Sequence, residues 1–159
     1  MRRNSDTCLL IVGSGEAEAV IRKAITKHDL EKQVIMRPFV SYDELVRHIC
    51  LADVSVNTFI PSLVTHCVLP GRVLQSMACG IPVVSTPLQG MMNYSQGSDT
   101  VVYRNLDPSF VEAVADLLAE STKSQILGVA GRNLVTAKGS WQDFVDNFAN
   151  LAQKVSVTR

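Results

Sequence analysis

The chain has 159 residues, 47% hydrophobic and 19% charged, which suits one globular domain of ordinary size and excludes a disordered chain. Lys+Arg and Asp+Glu both total 15, so the formal net charge is zero and no broad attraction to nucleic acid or an anionic membrane is expected. No apolar run approaches the roughly 18 residues of a membrane span, and the run behind the basic Met1-Arg2-Arg3 is too short for a signal peptide.

Residues 8–12 (CLLIV) form a continuous apolar run closed by Gly13-Ser14-Gly15, the pattern of a buried parallel strand and a tight turn. Residues 17–28 have helical periodicity, with Ala17, Val20, Ile21, Ala24 and Ile25 on one face. Residues 33–36 read as a second strand. Ser41 and Glu44 then make a capping box, opening a helix that runs to about Cys50. Residues 53–58 (DVSVNT) are a third strand, and 59–69 a loop with room for a short helical turn. A helix is expected over 71–79, with Gly80 as its C′ glycine. Residues 82–85 and 100–103 read as the last strands, with 86–93 between them read as a loop. Asp107 or Ser109 caps a helix through Leu118, and a further helix covers 123–137. A final amphipathic helix is expected over 141–154, with Trp141, Phe144, Phe148 and Leu151 on its apolar face.

Strands alternating with helices imply an α/β fold: a Rossmann-like parallel sheet with helices on both faces. Ligands on such sheets bind at the carboxyl ends of the strands. The loops of interest are therefore 13–17, 37–41, 58–71 and 86–93.

Gly13-Ser14-Gly15-Glu16-Ala17-Glu18 looks like a dinucleotide fingerprint, but Glu18 stands where the third glycine belongs. A carboxylate there would repel a pyrophosphate, so this segment reads as a tight turn with glutamates in the first helical turn. Leu69-Pro70-Gly71-Arg72-Val73-Leu74 is more informative. Pro70 suits a helix start, and Gly71 lets a ligand approach the backbone. The amides of Gly71, Arg72 and Val73 are expected to be free and, with the Arg72 charge, to attract phosphate. On local features alone, a helix start without a ligand fits equally well. His28, His48 and His66 are scattered, and His66-Cys67 has no second pair at ligand spacing, so no metal is expected. Ser62 and Ser76 lack any nucleophile-elbow context. Cys8, Cys50, Cys67 and Cys79 form no CxxC pair and read as reduced, mostly buried thiols of a cytosolic protein.

Taken together, LLIVGSGE, QVIMRPFVSYDELVRHICLADVSVNTF, LPGRVLQSMACGIPVVSTPLQGM, VVYRNLDPSFVEAVADLL and SWQDFVDNFANLAQ cover nearly the whole chain. In this order they resemble the second domain of the GT-B glycosyltransferases, in particular the large retaining group called group 1 or family four. The run from Pro70 through Met77-Ala78 to Pro82-Val83-Val84 and Thr86 is its most specific piece. The resemblance implies one domain over 1–159 that binds a UDP- or GDP-linked sugar and needs no cofactor. The base would lie against the loop of Arg37, Pro38, Phe39 and Val40. The diphosphate would meet the helix start at Pro70, Gly71, Arg72, Val73 and Leu74. Two family glutamates, one for the donor sugar and one for the ribose, correspond here to Cys67 and Gln75. Gln75 can still hydrogen-bond a diol, whereas Cys67 substitutes poorly for a carboxylate. The family's preceding strand, which ends in Gly-Arg and belongs in the middle of the sheet, has no counterpart here. Nor has the acceptor-binding first domain.

The resemblance thus implies part of a cytoplasmic glycosyltransferase, completed by an acceptor domain or a partner subunit and peripheral to the membrane where acceptors are lipids. The alternative is a non-catalytic nucleotide-binding or protein-interaction module, dimerising through exposed sheet edges. A dinucleotide-binding Rossmann domain fits less well, because Met36-Arg37-Pro38 stands where an acidic residue should close the second strand.

Overall fold

The computed structural model describes residues 7–138, 145–146, 148–150 and 152–154. The chain divides into two compact units, one over Met1–His48 and a larger one over Ile49–Arg159. All strand pairs are parallel.

In the smaller unit β1 (Leu9–Val12) leads into α1 (Glu18–Lys27), and β2 (Val34–Arg37) into α2 (Tyr42–Ile49). β1 and β2 form a two-stranded sheet with Leu9 opposite Val34 and Val12 opposite Arg37. Gly13 ends β1 at φ 128, a conformation that costs any side chain strain. The Glu18 carboxylate is bound by Arg22 at 2.8 Å, one turn along α1. Glu18 thus stands in the first turn of α1, as the tight-turn reading of Gly13-Ser14-Gly15 expects, and the ion pair to Arg22 is an addition. α2 opens with the anticipated capping box. Glu44 Oε2 accepts from the Ser41 amide at 3.1 Å and from the Ser41 hydroxyl at 2.9 Å, while the Glu44 amide donates back to Ser41 Oγ. These bonds hold the Glu44 carboxyl below its ordinary pKa, the hydroxyl contributing most.

One expectation fails in this unit. β1 reads as a strand buried on both faces, yet Leu9 is 46% exposed and Leu10 to Val12 are half-buried. Among the described residues β1 has a single strand neighbour, so part of its apolar surface stays in water.

The larger unit holds β3 (Ser55–Asn57), α3 (Leu63–His66), α4 (Gly71–Ala78), β4 (Val83–Ser85), α5 (Gln89–Ser95), β5 (Val102–Tyr103), α6 (Pro108–Ala119) and α7 (Ser121–Ala137). Its sheet runs β3-β4-β5. Successive residues of β4 point to opposite faces, and the core divides accordingly. Val83 packs with Val73 and Met77 of α4, Met91 of α5, Leu88 and Val101. Val84 packs with Phe110, Ala113 and Leu117 of α6. Helices thus cover both faces of this sheet. Burying a side chain such as Met77, fully inaccessible, stabilises the fold by roughly 1.5–3 kcal/mol.

α4 ends as expected in a Schellman motif: the Ile81 amide donates to the Ser76 carbonyl and the Gly80 amide to the Met77 carbonyl, both at 2.9 Å. Gly80 sits at φ 75. α7 packs closely there, because Gly128 and Gly131 bring its backbone against Gly80 and the Met77 side chain. α6 is capped by Asp107, which accepts from the Ser109 amide at 2.8 Å. Of the expected terminal helix, 145–146, 148–150 and 152–154 are helical. Trp141, Phe144 and Leu151 lie outside the described residues, and Phe148 is 65% exposed.

The segment 86–93, read as a loop, is where the sequence misleads. α5 occupies most of it. The N-cap of α5, Leu88, has no side-chain cap of its own. The Gln89 amide instead donates to His66 Nδ1 at 3.0 Å, from 23 positions away. A helix start capped through tertiary structure leaves no local signature. The cysteines are a second correction: Cys8, Cys50 and Cys67 are exposed and only Cys79 is partly buried, because the first three sit at a strand entry, in a turn and at a short helix end.

Candidate functional site

The site is built at the carboxyl ends of β3 and β4 and the start of α4. Pro70, buried and extended at φ −64 and ψ 116, is the N-cap of α4. Its carbonyl accepts from the Val73 amide at 2.9 Å and the Leu74 amide at 3.3 Å. This corrects the expectation of three free amides: Pro70 closes the first turn and takes Val73. The amides of Gly71 and Arg72 remain without an acceptor among the described residues. A Cβ on Gly71 would meet nothing within 4 Å, so the space before these amides is open.

Arg72 projects from this start. Its guanidinium carbon lies 4.7 Å from the centre of the Phe59 ring, a cation–π arrangement that orients the charge. No carboxylate among the described residues pairs with it. Phe59 is held in turn, its carbonyl accepting from Thr86 Oγ1 at 2.6 Å. The Thr86 amide donates to the Asn57 carbonyl at 3.1 Å, joining the ends of β3 and β4. Behind α4, Ser76 Oγ lies 2.9 Å from the Arg72 carbonyl and 2.8 Å from Ser55 Oγ. The helix is thereby fastened to β3 one turn below the open amides.

Asn57 is fully buried at the end of β3. Its Nδ2 donates to Ser85 Oγ at 3.0 Å, while Oδ1 has no partner among the described residues. Burial raises the phenol pKa of Tyr103, which packs against the core of the same unit. Among the described residues no three His, Cys, Asp or Glu side chains come together to hold a metal.

Cys67, exposed, is the C-cap of α3. Its segment is pressed against α5: a Cβ on Gly90 would come within 2.9 Å of the His66 carbonyl and 3.1 Å of that of Val68. Gly90 and the His66–Gln89 bond together fix where Cys67 stands. Gln75 is half-buried on α4. Cys67 and Pro70 to Gln75 thus all belong to the larger unit. Phe39, 83% exposed, and Val40 belong to the smaller one. Asn57, Phe59, Thr86 and His66 escaped the sequence reading as site residues. Phe59, His66 and Thr86 lie in the loops 58–71 and 86–93 that strand order points to, and an Asn at the carboxyl end of a strand was the signal for Asn57.

The family described as "Glycosyl transferases group 1" matches residues 1–120. The chain belongs to the group 1 glycosyltransferases. This glycosyltransferase chain is 28% identical over 172 residues to a GDP-mannose-dependent monoacylated alpha-(1-6)-phosphatidylinositol monomannoside mannosyltransferase of Corynebacterium glutamicum, covering 93% of this chain and 39% of the relative. It is 30% identical over 157 residues to the corresponding GDP-mannose-dependent alpha-(1-6)-phosphatidylinositol monomannoside mannosyltransferase of Mycobacterium tuberculosis, covering 94% and 40%. It therefore spans about two fifths of these relatives' length. Among solved structures it resembles sucrose-phosphate synthase from Thermosynechococcus elongatus, with a TM-score of 0.76 at 21% identity over 95% of this chain and 39% of that one. It also resembles Anabaena HepE, solved with UDP and glucose, with a TM-score of 0.79 at 15% identity over 92% and 40%. These likenesses establish the GT-B glycosyltransferase half-fold. No helix among the described residues is long and apolar enough to cross a membrane.

Proposed function

We propose that this chain is the donor-binding domain of a two-domain glycosyltransferase and that it holds a nucleoside diphosphate sugar at the start of α4. The observation that carries the reading is the pair of open amides at Gly71 and Arg72 beside an Arg72 guanidinium with no carboxylate partner among the described residues. Helix-start amides and a fixed cation suit a diphosphate. They also suit the reaction: negative charge builds on the departing diphosphate as the sugar bond breaks, and donors already aimed at it stabilise that charge. In this scheme Gln75 meets the ribose diol, and Cys67 stands on the sugar side. Val73 and Leu74 shape the helix start, their amides being taken by Pro70. The relatives' names support a GDP-linked donor and the HepE complex a UDP-linked one. An acceptor domain or partner subunit supplies the other half of the cleft, on the cytoplasmic side.

A second reading rests on Cys67 and Gln75, which replace two carboxylates with a thiol and an amide. It takes the chain as a non-catalytic nucleotide-binding or protein-interaction module, including a homodimer. Titration calorimetry of the folded chain with UDP, GDP, UDP-glucose and GDP-mannose separates the two. Micromolar binding of one nucleotide, weakened about tenfold in Arg72→Ala, supports the donor site. A folded sample that binds none of the four refutes it.

A further inference from the structure

Between Val54 and Ser98, Arg72 is the one residue drawn from Asp, Glu, Lys and Arg. Its guanidinium rests over the Phe59 ring, 4.7 Å from the centroid, and no carboxylate among the described residues pairs with it. A carboxylate would fix the group and cancel its charge, whereas a ring face fixes it and leaves the charge for an anion. Phe59 is itself supported from the sheet. Its ring packs against the cluster that includes Val73 and Leu88, and its carbonyl accepts from Thr86 Oγ1 at 2.6 Å. Thr86 is held at its other two polar groups as well: the amide donates to the Asn57 carbonyl at 3.1 Å, and the carbonyl accepts from Ser85 Oγ at 2.9 Å. Ser85 Oγ in turn accepts from Asn57 Nδ2 at 3.0 Å. Asn57, Ser85 and Thr86 are all fully buried. Asn57 Oδ1 has no partner among the described residues, and an unmet buried carbonyl lowers stability. Three buried polar side chains with one unmet acceptor make a poorer core than Val83 and Val84, which precede Ser85 in β4. Packing does not account for them, and their place behind Phe59 does.

We propose, on the reading of the α4 start as a diphosphate site, that Phe59 and Thr86 are positioning residues of that site: Thr86 fixes Phe59, and the Phe59 ring holds the Arg72 guanidinium ready for the diphosphate with its charge intact. Arg72 meets the ligand, and the two supports act only through it. A long Arg side chain gives up rotamer freedom on meeting a ligand, and orientation beforehand reduces that loss. A charge left unpaired makes each contact to a phosphate oxygen charge-assisted. The support offers nothing to a nucleoside, so its removal is felt through the diphosphate alone.

The test titrates the whole folded chain by calorimetry with UDP, GDP, UDP-glucose and GDP-mannose, and with uridine and guanosine. Thr86→Val, Thr86→Ser and Phe59→Leu are compared with wild type, and the first and last also in the Arg72→Ala background. Thr86→Val and Phe59→Leu should each weaken the diphosphate nucleotide about two- to fivefold and leave the nucleoside unchanged. In the Arg72→Ala background neither should have a further effect. Thr86→Ser, which keeps the hydroxyl, should bind as wild type. Without nucleotide, the Arg72 Nε–H signal in nitrogen-15 NMR, identified by its loss in Arg72→Ala, should lie upfield through the Phe59 ring current. It should move to the free-arginine position in Phe59→Leu and Thr86→Val. Should Thr86→Val not fold, Phe59→Leu carries the same readouts. Wild type that binds a nucleotide whose affinity neither variant lowers, or lowers equally in the Arg72→Ala background, overturns the positioning role alone. An Arg72 signal that neither variant moves overturns it too. Wild type that binds none of the four nucleotides refutes the diphosphate site, and the positioning role falls with it.

Discussion

Gly128→Ala places a methyl group where α7 crosses the end of α4. A Cβ there would overlap the Gly80 carbonyl oxygen, lie 3.0 Å from the Gly80 carbonyl carbon and approach Pro82 Cδ at 3.7 Å. The first two are backbone atoms, which no rotamer change can move, and ordinary carbon contacts begin at about 3.5 Å. The Gly80 turn resists displacement, because its φ of 75 and two 2.9 Å hydrogen bonds fix it. Overpacking of this kind costs about 3 kcal/mol. Alanine recovers about 1 kcal/mol over glycine inside a helix, leaving a net loss of about 2 kcal/mol. Gly131→Ala, one turn on, is the control. Its Cβ would meet the Met77 side chain at 3.4, 3.5 and 3.6 Å, distances a flexible thioether absorbs, so it should be neutral or stabilising by up to about 1 kcal/mol. Urea unfolding followed by circular dichroism, with m-values compared, separates the two variants. A Gly128→Ala protein as stable as wild type would refute the claim that this backbone contact sets the helix spacing.

Arg72→Ala should weaken diphosphate nucleotide binding about tenfold, in line with charge-assisted hydrogen bonds, while leaving binding of the unphosphorylated nucleoside unchanged. Calorimetry with UDP or GDP against uridine or guanosine reads the difference, and equal losses for both would count against a phosphate role. Gly90→Ala should cost about 1–3 kcal/mol, because its methyl would press on the His66 and Val68 carbonyls; thermal unfolding measures it. His66→Ala should lower stability by about 1 kcal/mol, the usual worth of a lost cap, with the lost protection appearing at the Gln89 amide in hydrogen exchange. The Glu44 carboxyl titrates below its ordinary 4.5, so its stabilising effect on α2 is fully present above that pH. It is lost as pH falls through the lower folded-state value. Ser41→Ala should move the Glu44 pKa back up, as followed by carboxyl NMR, and an unchanged pKa would show that the hydroxyl is not the cause.

Elements whose signals are local were legible in the chain. Ser41 with Glu44, Gly80 after Ala78, and Asp107 before Pro108 are start and stop signals whose partners lie within a few residues, and each made the expected bond. β4 was legible as well, because Ile81 to Val84 is an apolar, β-branched run too short for a helix. At the site, Pro70-Gly71-Arg72 read correctly as a helix start. What it left wrong was the number of free amides, since whether the Pro70 carbonyl reaches Val73 is a matter of backbone geometry.

By itself, then, the sequence determined a parallel α/β fold, its capped helices and the family to which Leu69–Gly90 points. Tertiary structure decided what depends on residues far apart in the chain. α5 forms because His66 caps it across 23 positions. The Arg72 charge is aimed because Thr86 holds Phe59 beneath it. Periodicity and capping preferences act over a few residues and are written locally. These contacts act between surfaces that exist only once the core has closed, so no short stretch of sequence records them.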